Sequence, residues 1–307
     1  MNLSKPPISS QNILMADLVC ERSLVDLINR DKYINVFNPS VYITDEMIYL
    51  TFRAFGFKKT QPFHSYLIKY NPVSNHKEEI DISEFCIAYN INICADPKLL
   101  SLDNDVWITF NTGYSTSFNS IYLLKVSGAI SKPYECLLDG RKIVEKNWAF
   151  FKQDNLLQAI YSISPYRKIY LENLDEKTKT FNFKFAKDVN INLAGQTKQK
   201  KLSVGTQLLK VGQSYCLIAH EKIKIFNKII YFGRFVSING DKITIHPGRM
   251  FHSYKSLFGS WKKYNNKLIS CSYFSGLAYQ ADDFIISYGI NDTAFAIKRI
   301  ASKQLWH

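Results

Sequence analysis

The chain has 307 residues, 46% apolar and 21% charged, a balance that excludes disordered and collagen-like chains and suits a packed core. With 39 basic and 26 acidic residues it carries a net charge of +13, a field that draws anions such as sugar phosphates, nucleotide sugars and acidic lipid. Zinc-finger spacing and an aromatic RNA-binding signature are both missing from the sequence, which argues against nucleic acid as partner. No stretch reaches the roughly 18 uninterrupted apolar residues of a membrane span.

The first predicted element is helical. In "NILMADLVCERSLVDLINR" (12–30) apolar residues recur at three- and four-residue steps, the pattern of one or two short amphipathic helices within an N-terminal helical segment, 1–35. The start of the chain lacks the basic and then apolar run of a secretion signal, so the expected location is cytoplasmic. Six cysteines at 20, 86, 94, 136, 216 and 271 lie dispersed without a CxxC pair, which reads as buried free thiols.

Beyond residue 36 the chain repeats one layout. "NPSVYITDEMIYLTFRA" (38–54), "ADPKLLSLDNDVWITFNT" (95–112), "KNWAFFKQDNLLQAIYSIS" (146–164), "VGTQLLKVGQSYCLIAHE" (204–221) and "FSGLAYQADDFIISYGIND" (274–292) each open on a small or polar residue. Each then runs through apolar positions, turns at "TDE", "DND", "QDN", "VGQ" or "ADD", and continues into an aromatic and β-branched strand. Such segments are β-hairpins. A further hairpin is predicted at 173–188. The copies recur every roughly 50 to 70 residues, as propeller blades do. A blade cannot bury both its faces alone, so neighbours must stack around an axis. The expected fold is all-β, a five-bladed β-propeller with short N-terminal helices, and no Gly/Ser/Pro linker divides the single domain 1–307.

In a propeller the blade openings converge on the central channel. They supply Asn38, Asp96, Lys146 with Asn147, and Gly205, while the second strands end at Arg53, Asn111, Ser162, His220 and Asp292. Two acids, two cations, a histidine and amides at one mouth make a polar site. Taken locally, Asp96 reads as a turn aspartate before Pro97, and its place in the repeat is what favours chemistry. The basic clusters "TKQKK" (197–201) and "HEKIKIFNK" (220–228) read either as solvated faces or as anion-binding surface. "HPGRMFH" (246–252) lacks a third ligand at metal spacing, so neither metal nor cofactor is expected.

The pieces "FNPSVYITDEMIYLTFRA", "ADPKLL", "EKNWAFF", "YCLIAHE" and "ISYGINDTAFAI", in that order over about residues 36–300, resemble the blade motifs of glycoside hydrolase family 130. These are the five-bladed propeller mannoside phosphorylases and mannosidases, to which the β-1,2-mannosyltransferases are similar. The resemblance implies that Asp96 is the catalytic acid or base. It implies that Lys146, Arg167 and His220 contact phosphate or the donor, and that Asn38, Arg53, Asn147 and Asp292 contact sugar. Tyr288, in the closing motif, reads either as core packing, the ordinary place of such an aromatic, or as a sugar-stacking platform, and is carried as a candidate sugar contact. Two positions depart from the family pattern: Ala95 stands where the family has Glu, and Lys98 where it has Arg. These departures, with the basic charge, favour a glycosyltransferase that moves a sugar, plausibly mannose, from a nucleotide sugar to an oligosaccharide acceptor, with peripheral contact to an anionic membrane allowed by the charge. The alternatives are a β-mannoside phosphorylase or hydrolase, using sugar 1-phosphate or water, and a non-catalytic glycan-binding propeller.

Overall fold

The computed structural model describes residues 12–55, 63–113, 119–186, 192–194, 202–240, 242–258 and 267–306. The basic cluster at 197–201 lies outside them. The structure is nearly all-β. The first antiparallel ladder pairs Asn35–Ile43, Ile48–Phe55, His64–Asn71 and His76–Asp81 in sequence order. The second comprises Ala95–Leu102, Asp105–Asn111, Ile121–Lys125 and Tyr134–Leu138, and the third Ala149–Gln153, Leu156–Ile163, Tyr166–Asp175 and Thr180–Phe185. The fourth is built on the long hairpin of Ser214–Ile225 and Lys228–Asn239. The fifth pairs Leu268–Gln280, Asp283–Ile290 and Ala294–Ala301.

All five predicted hairpins form, and local chemistry explains their turns. Asp103–Asn104, Asp154–Asn155 and Ala281–Asp282 each occupy a two-residue loop with both φ values positive. That conformation matches the right-handed strand twist, and Asn and Asp tolerate it best after Gly. The hairpin predicted at 173–188 is present as the Tyr166–Asp175 and Thr180–Phe185 pair.

The apolar faces meet between successive ladders. Leu67, Ile82, Leu99 and Phe110 fill the space between the first and second, and Leu100, Leu123, Trp148 and Phe183 that between the second and third. Phe151, Ile160, Leu217 and Val236 join the third to the fourth, and Ile218, Phe235, Phe274 and Phe284 the fourth to the fifth. Leu50, Phe52, Ala278 and Ile285 close the fifth onto the first. This cyclic closure gives every sheet two neighbours, as the repeat requires. The leading strands line the centre, with Asn35–Ile43 packed against both Ala95–Leu102 and Leu268–Gln280.

The N-terminal segment has short helical pieces, as expected, interrupted by a strand that the periodicity did not indicate. It holds a 3-10 turn at Met15–Asp17 and a four-residue helix at Arg22–Val25, separated by the strand Val19–Cys20. That strand pairs with the edge of the fifth ladder, Val19 opposite Arg299 and Cys20 opposite Lys298. An open sheet edge with unpaired backbone groups outweighs a marginal helical period. All six cysteines are free thiols, five of them buried. Among the described residues, no helix is long and apolar enough to cross a membrane.

Candidate active site

The site begins with a backbone device. Asn38, Asp96 and Asn147 open the first three ladders, and each has a positive φ, at 52°, 51° and 64°. The pairing register shifts between Phe37 and Ser40 and again between Ala95 and Lys98, so the openings of the first two ladders are bulged. A bulge re-aims a side chain that regular pleating would send elsewhere. Asn and Asp are the non-glycine residues that enter the left-handed region most readily.

The bulged openings are cross-linked around the axis. Ser275 Oγ donates to Pro39 O at 2.6 Å, Ser40 Oγ accepts from Leu99 N at 3.0 Å, and Thr51 Oγ1 donates to Pro97 O at 3.1 Å. Asn147 Nδ2 donates to Val204 O at 3.2 Å and to the Tyr273 hydroxyl at 3.1 Å. Gln207 bonds both Phe150 N and Trp148 O. Lys98 donates from the second ladder to the Gly205 carbonyl of the fourth. Gly205 is required there, since a Cβ would stand 2.2 Å from Ile218 O.

Within this frame Asp96 is held by three partners. Arg53 Nη1 lies 2.7 Å from its Oδ1, Lys146 Nζ 3.7 Å from its Oδ2, and Asn38 Nδ2 donates to Oδ1 at 3.2 Å. The Arg53 guanidinium rests 3.7 Å from the Phe63 ring centroid and 4.8 Å from that of Phe37, which fixes its plane and adds cation–π attraction. Burial acts to raise the Asp96 pKa. The charges of Arg53, Lys146 and Lys98 and the Asn38 hydrogen bond outweigh it and hold the carboxyl well below the usual range.

The surrounding groups are instead shifted toward their neutral forms. Lys98 is pushed down to about 7 by burial, with Asp96 opposing and Lys146 adding to the shift. Burial, then Lys98 and Lys222, drives His220 far down against a backbone hydrogen bond at Phe274, so its ring is neutral. His220 Nε2 is buried without a hydrogen-bond partner among the described residues, and the ring sits 4.5 Å from that of Tyr273. Burial and the Asp96 charge raise Asp292, with Arg53 and Lys146 opposing. Asp96 is thus the ionised carboxylate of a pair and Asp292 the one inclined to keep its proton.

Of the residues named from sequence, the structure therefore brings together Asn38, Arg53, Asp96, Lys146, Asn147, His220 and Asp292. Tyr288 does not join them. It is fully buried in the core, its ring stacked on Phe274 and its hydroxyl 2.9 Å from His252 Nδ1, so no face is open to a sugar. Arg167 also stands apart: it is exposed, with its guanidinium over the Phe185 ring, because its strand directs it outward. Asn111 and Ser162 bond local carbonyls, those of Ala95 and Pro165. Sequence reasoning missed Tyr273 and treated Lys98 only as a departure. Their signal was a polar residue beside each opening in the repeat. A cleft of about 460 Å³ lined by Asn12, Asp17, Phe235, His246, Met250 and Lys303 among others shares no residue with the Asp96 group.

No family model and no curated protein matches the chain. Solved structures do. The chain is similar to a protein of the GH130 family of mannoside phosphorylases, which contains glycoside hydrolases that target β-1,2 mannosidic linkages in Candida mannan, at 11% identity and TM-score 0.61 over 95% of this chain and 97% of the other. It is similar to a mannose phosphorylase from Leishmania mexicana in complex with phosphate ion, at 12% identity and TM-score 0.54 over 88% and 85%. A β-1,2-mannobiose phosphorylase from Listeria innocua matches at 10% identity and TM-score 0.55 over 90% and 92%. At these identities the likeness establishes a common fold.

Proposed function

We propose that the protein is a glycoside-processing enzyme of the GH130 type that cleaves a β-mannoside with inorganic phosphate. The observation that carries this reading is the charge balance around Asp96. Two cations, Arg53 and Lys146, with the partly protonated amine of Lys98 behind them, act on one ionised carboxylate, and the excess positive charge calls for an anion. The neutral His220 offers Nε2 as a hydrogen-bond donor or acceptor to the same ligand. The solved structures similar to this chain support phosphorolysis or hydrolysis over the nucleotide-sugar transfer that the sequence favoured.

An ionised carboxylate cannot donate a proton, and the site's own electrostatics resolve this. A phosphate drawn to Lys146, whose side chain is 33% exposed, offsets the positive field that keeps Asp96 ionised. The Asp96 proton affinity then rises. Asp96 passes its proton to the leaving glycosidic oxygen as the sugar's anomeric C–O bond breaks and a phosphate oxygen bonds the same carbon. The products are a sugar 1-phosphate and the released sugar, and preset cations stabilise the charge in flight. Asn38, Asn147 and Asp292 orient sugar hydroxyls.

A donor screen tests the reading. The protein is incubated with β-mannosyl oligosaccharides with and without phosphate, and separately with nucleotide sugars plus the same acceptors. Phosphate-dependent formation of sugar 1-phosphate is expected. Cleavage without phosphate would make it a hydrolase, and nucleotide release alone would restore the transferase. A cation cluster of this kind also suits a diphosphate leaving group, which is why the nucleotide-sugar arm is included.

A further inference from the structure

Beyond His220, the basic segment 220–228 takes no part in the Asp96 group, and the structure gives it a distinct form. It is the end of the long hairpin, whose last cross-strand pair is Ile225 with Lys228. Phe226 sits at the turn, 94% exposed, beside Ile225 at 40%. Lys222, Lys224, Asn227 and Lys228 are exposed as well. No acidic residue occurs from Lys222 to Asn239, and the one acid beside the hairpin, Glu221, is buried against Arg234 and Arg249. On the adjoining strand the next exposed side chain is another cation, Lys267, whose carbonyl accepts from Ile229 N.

The turn is also conformationally costly. Phe226 has φ at +51°, a region that a bulky side chain avoids and that Gly or Asn would fill more easily. An aromatic kept there, packed on nothing, is not explained by folding. We propose that this tip, Ile225 and Phe226 with Lys224 and Lys228 behind them, docks the protein on an anionic phospholipid surface.

The spacing fits that occupant. Lys224 and Lys228 are each two positions from Phe226, about 7 Å along a strand, which puts the ammonium groups at headgroup level when the apolar pair enters the interface by about 5–10 Å. A protein partner needs about 800 Å² on each side, far more than a two-residue turn presents. A glycan needs hydrogen-bonding groups around an aromatic face, and the tip provides isoleucines, lysines and one amide. The hairpin is also placed usefully: its strand Ser214–Ile225 carries His220 of the Asp96 group and runs on into the tip, so the tip extends from that side. Docking there turns the catalytic mouth toward the lipid surface.

Co-sedimentation with vesicles tests the proposal on the full chain. Vesicles of phosphatidylcholine with about one-third phosphatidylserine retain the wild type at low salt, release it at high salt, and bind it far more than phosphatidylcholine alone. Lys224→Gln with Lys228→Gln lowers the partition about 25-fold, at about fivefold for each lysine. Ile225→Ser with Phe226→Ser lowers it at least about tenfold. The lysine pair and Phe226→Ser alone keep the wild-type unfolding midpoint, because those side chains are exposed. Equal binding to neutral and anionic vesicles, no binding, or binding indifferent to both pairs overturns the proposal. So does a tip variant that raises the KM for an oligosaccharide while vesicle binding persists, which would make the tip a glycan contact. A dimer that the Phe226 change dissociates in sedimentation velocity overturns it as well.

Discussion

Arg53 Nη1 lies 2.7 Å from Asp96 Oδ1, and the two side chains are only 12% and 4% exposed. The pair links the second strand of one ladder to the bulged opening of the next. With so little exposure each charge depends on the other, and Asp96 on Lys146 as well. Removing one partner leaves a buried, uncompensated charge. Arg53→Met is expected to cost about 3–5 kcal/mol in urea unfolding, and much less when Asp96 is already Asn. Equal losses in both backgrounds would show that the pair is not coupled.

Catalysis through Asp96 has a separate signature. Asp96→Asn keeps the shape and the Asn38 contact but cannot carry the proton. Turnover is expected to fall by about 10²–10⁴-fold, with KM for the oligosaccharide changed only a few-fold. A variant that retains turnover contradicts the role.

Phosphate binding should take up protons. The anion offsets the field of Lys146 and Arg53, so the Asp96 carboxyl, held below its usual range in the free site, moves upward. Calorimetric titration with phosphate in two buffers of different ionisation enthalpy should give different apparent heats, in the sense of proton uptake. The difference should shrink in Asp96→Asn to what Lys98, itself titrating near neutrality, and the phosphate contribute. Buffer-independent heats in the wild type would remove the proposed coupling.

Lys98 makes stability depend on pH in a stated direction. The unfolded chain keeps this lysine protonated up to its ordinary value of 10.5, whereas the folded protein releases the proton at about 7. Between those values the unfolded state binds more protons, so this group's contribution rises with pH, by up to about 1.4 kcal/mol per unit. Below pH 7 the full cost of burying the charge is present. The difference in unfolding free energy between wild type and Lys98→Met should therefore change across pH 7 to 10. Parallel curves would show that Lys98 does not titrate there.

At the hairpin tip, strain and docking separate cleanly. Phe226→Gly relieves a left-handed φ at a position with no packing to lose. It should stabilise the protein by about 1 kcal/mol, read from the urea midpoint. A loss of stability would mean that the ring makes contacts important to folding.

Much of the fold was legible because it is local and repeated. The turns at Asp103–Asn104 and Asp154–Asn155 announce themselves by residue type, and the alternation around them marks the strands. Placing Asp96, Asn38 and Asn147 at equivalent openings brought together residues far apart in sequence. The same reasoning failed where equivalence by position did not settle side-chain direction. Arg167 lies near an opening but points outward over Phe185. Tyr288 belongs to the closing motif yet faces the core, since alternate residues of a strand take opposite faces. In 12–30 the short helix Arg22–Val25 forms as read, whereas Val19–Cys20 is recruited by a sheet edge.

The repeating hairpins, their turns and the polar character of their openings follow from side-chain chemistry within a few residues and can be read from the chain alone. The electrostatics of the site arise only on folding. Whether Asp96 is an acid or an anion depends on how near Arg53, Lys146 and Lys98 come to it and how little water reaches them. Those distances are set by cyclic packing of the sheets. Lys98 shows the difference most plainly. As a letter it is a basic residue after a proline, and in the folded chain it is a buried amine joined to a carbonyl two ladders away, titrating near neutrality.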